Sequence, residues 1–533
     1  MGFKQSIRNF FFGDFHPEQS TFIAGEYSNM TPVRTTQFNG EKTPQELGEI
    51  LNVLPDFQSL RLRAHEADLK SDVVKIITNR FFKWIIGTGL KLQSEPIIEI
   101  LRAEKITDSK DLSDFRQSVE SRFNLWARSK KVDYKYQASL HTLANDALKT
   151  SFLGGDCLVI LRVEDGEVNV QIIDGQQVQT PILNDKFHKE ATSKGNIINH
   201  GIEKDKRGRH VAYYVKTFKP GSFLGEYVRI EAYGKKTGRK MAWMMYFDKH
   251  RIDHDRGIGG LTSILEKIEK LDRYTEATVG SAEERAKLPF FIEHDEHSTG
   301  ENPMAGRLKK ALGKDDDSAV DSYSEGENKA KLIQNTTSKM VFNLPRGAKI
   351  SAPNANTSEI NYPEFWKAVF QSLAAAVDVP PEVALQVYNS NYSASRAAIN
   401  GWQHSINVQR QKLTEDFYQP IFELWLELKV LKSKVNAPGY LQAIREHKTE
   451  GLAAYANCRF TGSNMPHIDP KKEVDAIRRM LGSELDHVPL INLEQAVEKL
   501  NSGDWSENHN KYKKEKKSIE PVANVAVKNE NRK

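Results

Sequence analysis

Residues 387–402 read VYNSNYSASRAAINGW, and the stretch changes character at Ser393. Before it stand Asn, Ser and Tyr, uncharged residues in the composition of an irregular loop. After it an alanine-rich run opens a helical pattern that places Ile399, Trp402, Ile406, Leu413, Phe417, Leu424 and Leu428 on one stripe. The spacing predicts a helix of about forty residues, roughly 60 Å long at 1.5 Å per residue, with Pro420 kinking it. A helix of that length needs copies of itself or neighbouring elements along its apolar stripe. Trp402 falls on the stripe and reads as a core anchor rather than a base-stacking residue.

Upstream of the loop, Pro380-Pro381 stops a helix predicted from about Tyr362 to Val377. Before that lies SKMVFNLPRGAKISAPNAN, a strand-like stretch, and before it a polar segment from Ser298 to Lys331 containing KDDDSAVDSYSEGENKAK. That composition suits an exposed or disordered insertion. DRGIGGLTSIL, from Asp255, releases a helix expected over Leu261 to Leu288, with Leu261, Ile264, Ile268 and Leu271 on one face. Its glycines lack the full G-x-G-x-x-G spacing, and no P-loop GK[ST] follows, so a nucleotide loop is set aside.

Towards the N-terminus, apolar residues from Ser59 to Ile86 (Leu62, Leu69, Val73, Ile76, Ile77, Phe81, Trp84, Ile85) recur at helical spacing, ended by Gly87 and Gly89. A second helix is expected from Tyr136 to Thr150. It leads into FLGGDCLVILRVEDGEVNVQIIDGQQV, a hairpin turning at Asp165-Gly166. HVAYYVKTF and MAWMMYF add strands, so a mixed α+β region extends to about Arg256. Beyond the long helix, Cys458 to Ser502 reads as a small helical region.

The 533 residues include 28% charged and 39% hydrophobic side chains, a globular balance. Two distant cysteines, Cys157 and Cys458, fit neither a disulfide scaffold nor a metal spacing and suggest a reducing compartment. No run approaches the ~18 apolar residues that span a bilayer. The start, MGFKQSIRNFFFGDF, matches the Gly2/Ser6 pattern of myristoylation but lacks a second anchoring signal, and is read as an aromatic arm packing on a neighbouring subunit. Of the net charge of +5, residues 506–533 carry +4, from eight Lys or Arg against four Glu. A basic, solvated, disordered tail is the expectation there.

Taken in order, an α+β domain leaves along one helix, makes a small β-rich excursion, returns along another helix, and passes through a loop into a very long helix. In that order the sequence resembles the portal proteins of tailed bacteriophages, lambda-type family. The matching stretches are IIGTGLKLQSEP (from Ile85), FLGGDCLV (from Phe152), DRGIGGLTSIL (from Asp255), VFNLPRGAKI (from Val341), YSASRAAINGW (from Tyr392) and CRFTGSNMPHIDPKKEVDAI (from Cys458).

The resemblance implies an α+β portal fold of wing, stem, clip and crown that assembles as a dodecameric ring around a DNA channel. Residues 1–57 would be an N-terminal arm, 58–256 the wing, and 257–288 and 357–379 the two stem helices. The clip would span 289–356 with the insertion 298–331, the tunnel loop 380–392, the long wing helix 393–433, the crown 434–505 and the tail 506–533. It further implies that Asn389, Ser390, Asn391 and Tyr392 face the channel and that Arg346 and Lys349 lie on the clip surface, while Arg396, the sole cation near the loop-helix junction, reads equally as a phosphate contact or an intersubunit salt bridge. The clip would dock the terminase large subunit during packaging and the head-tail connector or adaptor afterwards. Major capsid and scaffold proteins and sliding double-stranded DNA complete the implied partners, in the virion and, during assembly, in the host cytoplasm. No cofactor, metal, catalytic residue or membrane is implied.

The charges are compatible with a conduit: residues 261–288 hold five basic and six acidic side chains, and 358–386 four acids and one lysine. A protein that grips DNA neutralises many phosphates, whereas a passage must let duplex slide. Two alternatives remain at this stage. A metal-dependent enzyme acting on nucleic acid would have to use the one dense carboxylate cluster, Asp315, Asp316 and Asp317; separately, His294 and His297 among Glu293, Asp295 and Glu296 could be drawn as a metal site but read as a solvated acidic loop. A different structural ring or adaptor is the other.

Overall fold

The computed structural model describes residues 33–34, 54–109, 111–181, 186–217, 225–235, 237–252, 254–286, 290–294, 331–336, 339–346, 361–387, 392–463, 470–482 and 489–500, together with 505, 508, 509, 511–513, 515 and 516. The chain forms two compact units, residues 1–265 with 374–533 and residues 266–373. No helix among the described residues is long and apolar enough to cross a membrane.

The first unit opens with two helices, α1 (Phe57–Lys70) and α2 (Asp72–Ile85), where the periodicity predicted one. Ser71 is extended (φ −92°, ψ 122°) and ends α1 as it starts α2. Asp56 caps α1 by accepting from the Ser59 N–H at 3.2 Å, in a register that turns Leu60, Arg61, Ala64 and Asp68 inward. Leu62 and Leu69, placed on the stripe by sequence, are therefore 67% and 84% exposed, while Val73, Ile77, Phe81 and Ile85 on α2 are buried.

After a short strand β1 (Lys91–Ser94) and helix α3 (Ser113–Arg128) comes α4 (Leu140–Gly154), which starts later than Tyr136. The Asp133 carboxylate accepts from the N–H groups of Lys135, Gln137 and Ala138 at 3.1, 3.0 and 3.2 Å, holding a turn with Tyr136 at φ 56°. The helix then begins at the Ser139 cap. Strands β2 (Asp156–Glu164) and β3 (Glu167–Asp174) form the expected hairpin, with Asp165 and Gly166 both at positive φ as a tight two-residue turn needs.

The other two expected strands separate. HVAYYVKTF supplies β6 (His210–Thr217) of a four-stranded antiparallel sheet with β4 (Ile197–Asn199), β5 (Ile202–Lys204) and β7 (Glu226–Glu231). MAWMMYF supplies β8 (Ala242–Tyr246), paired to β2 in register Ala242 with Ile160. The two sheets share one core built from Leu158, Ile160 and Ile173 on one and Ile202, Tyr213 and Val215 on the other.

The second unit leaves along α5 (Leu265–Ala286), continues into β9 (Phe290–His294), β10 (Lys331–Thr336) and β11 (Lys339–Arg346), and returns along α6 (Tyr362–Ala376). In its sheet β11 is central, antiparallel to β10 and parallel to β9.

Back in the first unit, α7 (Pro381–Leu385) occupies part of the stretch expected to be loop. Helix α6 ends at Ala376 with Asp378 left-handed (φ 59°), just ahead of Pro380 and Pro381, and because a proline is well suited to a first helical position the pair starts α7. The long helix runs from Tyr392 to Leu431 as α8 (Tyr392–Leu413), a π-helical turn Thr414–Tyr418 and α9 (Gln419–Leu431). Pro420 has no N–H for the carbonyl of Asp416, and that carbonyl instead accepts from the Trp243 indole at 2.7 Å. The expected kink is thus a widened turn pinned from β8. Trp402, Ile406, Leu413, Phe417 and Leu424 are buried as the stripe predicted.

Cys458–Thr461 is not helical. It is strand β12, antiparallel to β1 with Cys458 opposite Ser94, because Phe460 of β12 joins an aromatic cluster with Phe123 and Tyr418 at 5.8 and 4.5 Å. Helices α10 (Pro470–Met480) and α11 (Leu493–Lys499) follow. The region expected to be a disordered tail from residue 506 also begins in helix: 505, 508, 509, 511–513, 515 and 516 are helical, with Trp505 stacked on His509 at 5.0 Å.

Candidate functional site

Three pieces bear on function: the helix pair of the second unit, the flanks of residues 388–391, and a buried ionic hub in the first unit.

The helix pair α5 and α6 is antiparallel. Lys267 donates to Ser372 at 3.3 Å, and further along Tyr362 donates to Thr275 at 3.2 Å while Tyr274 packs on Tyr362 and Phe365 at 5.7 and 4.7 Å. Ile268, Leu271, Phe370 and Leu373 are each 1% exposed or less. Helix α5 carries Glu266, Glu269, Asp272, Glu276, Glu283 and Glu284 against Lys267, Lys270, Arg273 and Arg285, and α6 carries Glu364 against Lys367. Such a pair offers no basic groove for phosphates.

Of the candidate channel residues, Asn389, Ser390 and Asn391 lie outside the described residues. On their N-terminal flank α7 ends at Gln386, whose left-handed backbone (φ 57°) stops the helix. On the other flank Tyr392 is the first residue of α8 rather than part of the loop, and Arg396 stands on that helix, half-buried. Of the candidate docking residues, Arg346 ends β11 opposite His294, and Lys349 lies outside the described residues. The alternative metal ligands His297, Asp315, Asp316 and Asp317 also lie outside them. Among the described residues no three His, Cys, Asp or Glu side chains gather where a metal ion could be held.

The ionic hub escaped the sequence reading. FLGGDCLV turns from α4 into β2 and DRGIGGLTSIL leads into α5, and the structure brings the two stretches together. The fully buried Asp156 carboxylate accepts from Arg256 Nε and Nη2, both at 2.7 Å, from Arg61 Nη2 at 2.7 Å, and from the Gly257 N–H at 3.0 Å. The remaining donors end on backbone: Arg256 on the carbonyls of Gly175 and Val178 at 2.6 and 2.9 Å, Arg61 on that of Gly154 at 2.8 Å. Burial would raise the Asp156 pKa, but Arg256, then Arg61 and the Gly257 N–H, outweigh it and hold the carboxyl below its ordinary value.

The glycines have a steric purpose. Gly155 sits at φ 92°, and a Cβ on it would strike the Gly257 carbonyl, as one on Gly257 would strike that of Gly155. The DRGIGG run is therefore a close-packing joint. An isolated Asp inside the apolar run GGDCLVIL was the available signal, since a buried carboxylate needs cationic partners.

A second buried cation lies at the middle of the long helix. Arg410, 6% exposed, donates to the carbonyls of Trp84 and Ile85 at the end of α2 and to that of Ser463, at 2.8, 2.9 and 2.6 Å. It tethers α8 to α2 and to the chain after β12, in the manner of a cation at a helix C-terminus. With carbonyls as its partners, burial pulls its pKa down to about 10.

The family described as "Phage portal protein, lambda family" matches residues 41–410. A protein of Halomonas phage phiHAP-1 described as "Probable portal protein" is 22% identical over 473 residues, covering 85% of this chain and 81% of that one. A chain in the neck of a native gene transfer agent particle, computed with C12 symmetry, overlays with a TM-score of 0.36 at 10% identity, over 73% of this chain and 93% of that one. One in the virion of a native gene transfer agent particle gives 0.34 at 12% identity, over 74% and 94%. Both overlays are too distant for positions to be equated.

Proposed function

This chain belongs to the lambda family of phage portal proteins, and from that premise we propose that twelve copies close into a ring at one capsid vertex whose central hole passes double-stranded DNA. A portal is a structural part of the phage particle, not a catalyst. In this reading the terminase motor packages DNA through the ring, and the same ring later lets DNA out and docks the head-tail connector, with the major capsid and scaffold proteins around it.

The observation that carries the reading is the antiparallel pair α5 and α6, which leaves and re-enters the α+β unit with an acidic to neutral surface. Duplex can slide past such a wall, because few phosphates are neutralised and few counterions released per step. Asn389, Ser390, Asn391 and Tyr392 would offer exchangeable polar contacts to the sugar-phosphate backbone, with Arg396 behind them. Arg346 and Lys349 would lie on the face that meets the terminase and the connector.

Electron microscopy of the purified protein tests the proposal. A ring of about twelve copies with a central hole is the expected image. A chain that stays monomeric at micromolar concentration, whatever the salt, would overturn it.

A further inference from the structure

The conduit reading leaves one charged feature unused. The basic excess of this chain is not spread over its surface, since residues 506–533 carry +4 of the total +5. Of the eight basic residues there, the structure describes Lys511, Lys513 and Lys516. The helical segment is half-buried at its beginning, at residues 505, 508 and 509, and Trp505 stacks on His509 one turn along the same segment at an interplanar angle of 23°. From Lys511 on its described residues are exposed: Lys511, Tyr512, Lys513, Glu515 and Lys516. Lys511 and Trp505 also line a cavity of about 1610 Å³ of mixed charge, with Arg116, Arg459 and Lys499 set against Glu95, Glu120 and Glu423. A half-buried start thus leads into an exposed basic helical segment, on a chain whose other 505 residues together carry only +1.

We infer that this terminal helix is a sequence-independent phosphate-binding element that holds duplex DNA through Lys511, Lys513 and Lys516. The inference rests on the portal reading for its ligand and adds a division of labour. The near-neutral α5 and α6 pair lets DNA slide, and the terminal helix supplies the electrostatic hold. Lysine ammonium groups on flexible stems suit this role, because they follow phosphates without demanding a base or a fixed register. Tyr512, 59% exposed among them, can lie against sugar or an exposed base. An acidic protein surface is the competing partner, and it lacks the regular phosphate spacing that gives a steep salt dependence.

The test uses the full chain, first checked for ring formation by electron microscopy. Binding of a labelled 30-base-pair duplex is then followed across a salt series for the wild type and for Lys511→Gln with Lys513→Gln and Lys516→Gln. A control removes three exposed charges elsewhere, Lys70→Gln, Lys83→Gln and Lys131→Gln. Each lost phosphate contact flattens the plot of log K against log salt by about 0.9, so the terminal variant is expected to be shallower by about 2 to 3 and at least tenfold weaker at low salt. The control is expected to match the wild type. Equal slopes in all three proteins, an equal loss in the control, or binding of polyglutamate but not duplex overturns the inference while rings still form. Absence of rings in the wild type counts against the portal reading itself.

Discussion

Asp156 shows how much can depend on one carboxylate. Two guanidinium groups and a backbone N–H converge on it at full burial. Asp156→Asn therefore leaves Arg61 and Arg256 buried without their counter-charge. A loss of about 3 kcal/mol or more in unfolding free energy is expected, measured by denaturant titration. Because the folded pKa is depressed, the stability from Asp156 is present above its unfolded value of about 4 and is lost as pH falls through the lower folded value. His200, whose carbonyl accepts from Arg256, acts earlier in an acid titration. Burial first, and Arg256 second, lower its pKa, so the unfolded chain binds a proton there before the folded one does. Denaturation midpoints are expected to fall from about pH 6.5 downward, and His200→Gln to flatten the upper part of that fall. The two thiols offer another check. Burial, then Asp156, pushes the Cys157 thiol up, and burial, then Glu423, does the same for Cys458. Native protein is expected to react slowly with a thiol reagent near pH 8, and denatured protein to show two fast groups.

Among the elements, the long helix was the most legible, since its stripe from Trp402 to Leu424 is written in the spacing and is buried in the structure. What happens at Pro420 was not legible, because the partner of the freed Asp416 carbonyl lies on β8, far away in sequence. A double-mutant cycle checks that pairing. Trp243→Phe strands the carbonyl and should cost about 1–3 kcal/mol, less in a Pro420→Ala background where the new N–H can take it. A coupling near zero in denaturant unfolding would show that the indole is not what stabilises the π turn. The first helix failed in the opposite way: apolar residues at helical spacing implied continuity, but the Asp56 cap and the extended Ser71 set two registers. Periodicity reports which faces are apolar and is blind to a one-residue break. The β12 strand was missed because a four-residue strand paired across more than 350 residues leaves no local pattern.

At the scale of the whole molecule, the salt-slope experiment on the terminal helix and the search for rings ask separate questions, one about hold and one about passage. The order of parts could be read from the sequence alone. Amphipathic stripes, the Asp165-Gly166 turn and the proline stops act over a few residues, and local physics is enough to write them. The near-neutral charge along α5 and α6 was legible for the same reason. Only the tertiary structure decided which distant residues meet: Asp156 with Arg61 and Arg256, the Trp243 indole with the Asp416 carbonyl, and Gly155 with Gly257. It also decided that MAWMMYF and HVAYYVKTF join different sheets. Those pairings are settled by the burial of charges, carbonyls and close backbones that cannot be left unsatisfied, a demand made by the whole packed chain and by no window of it.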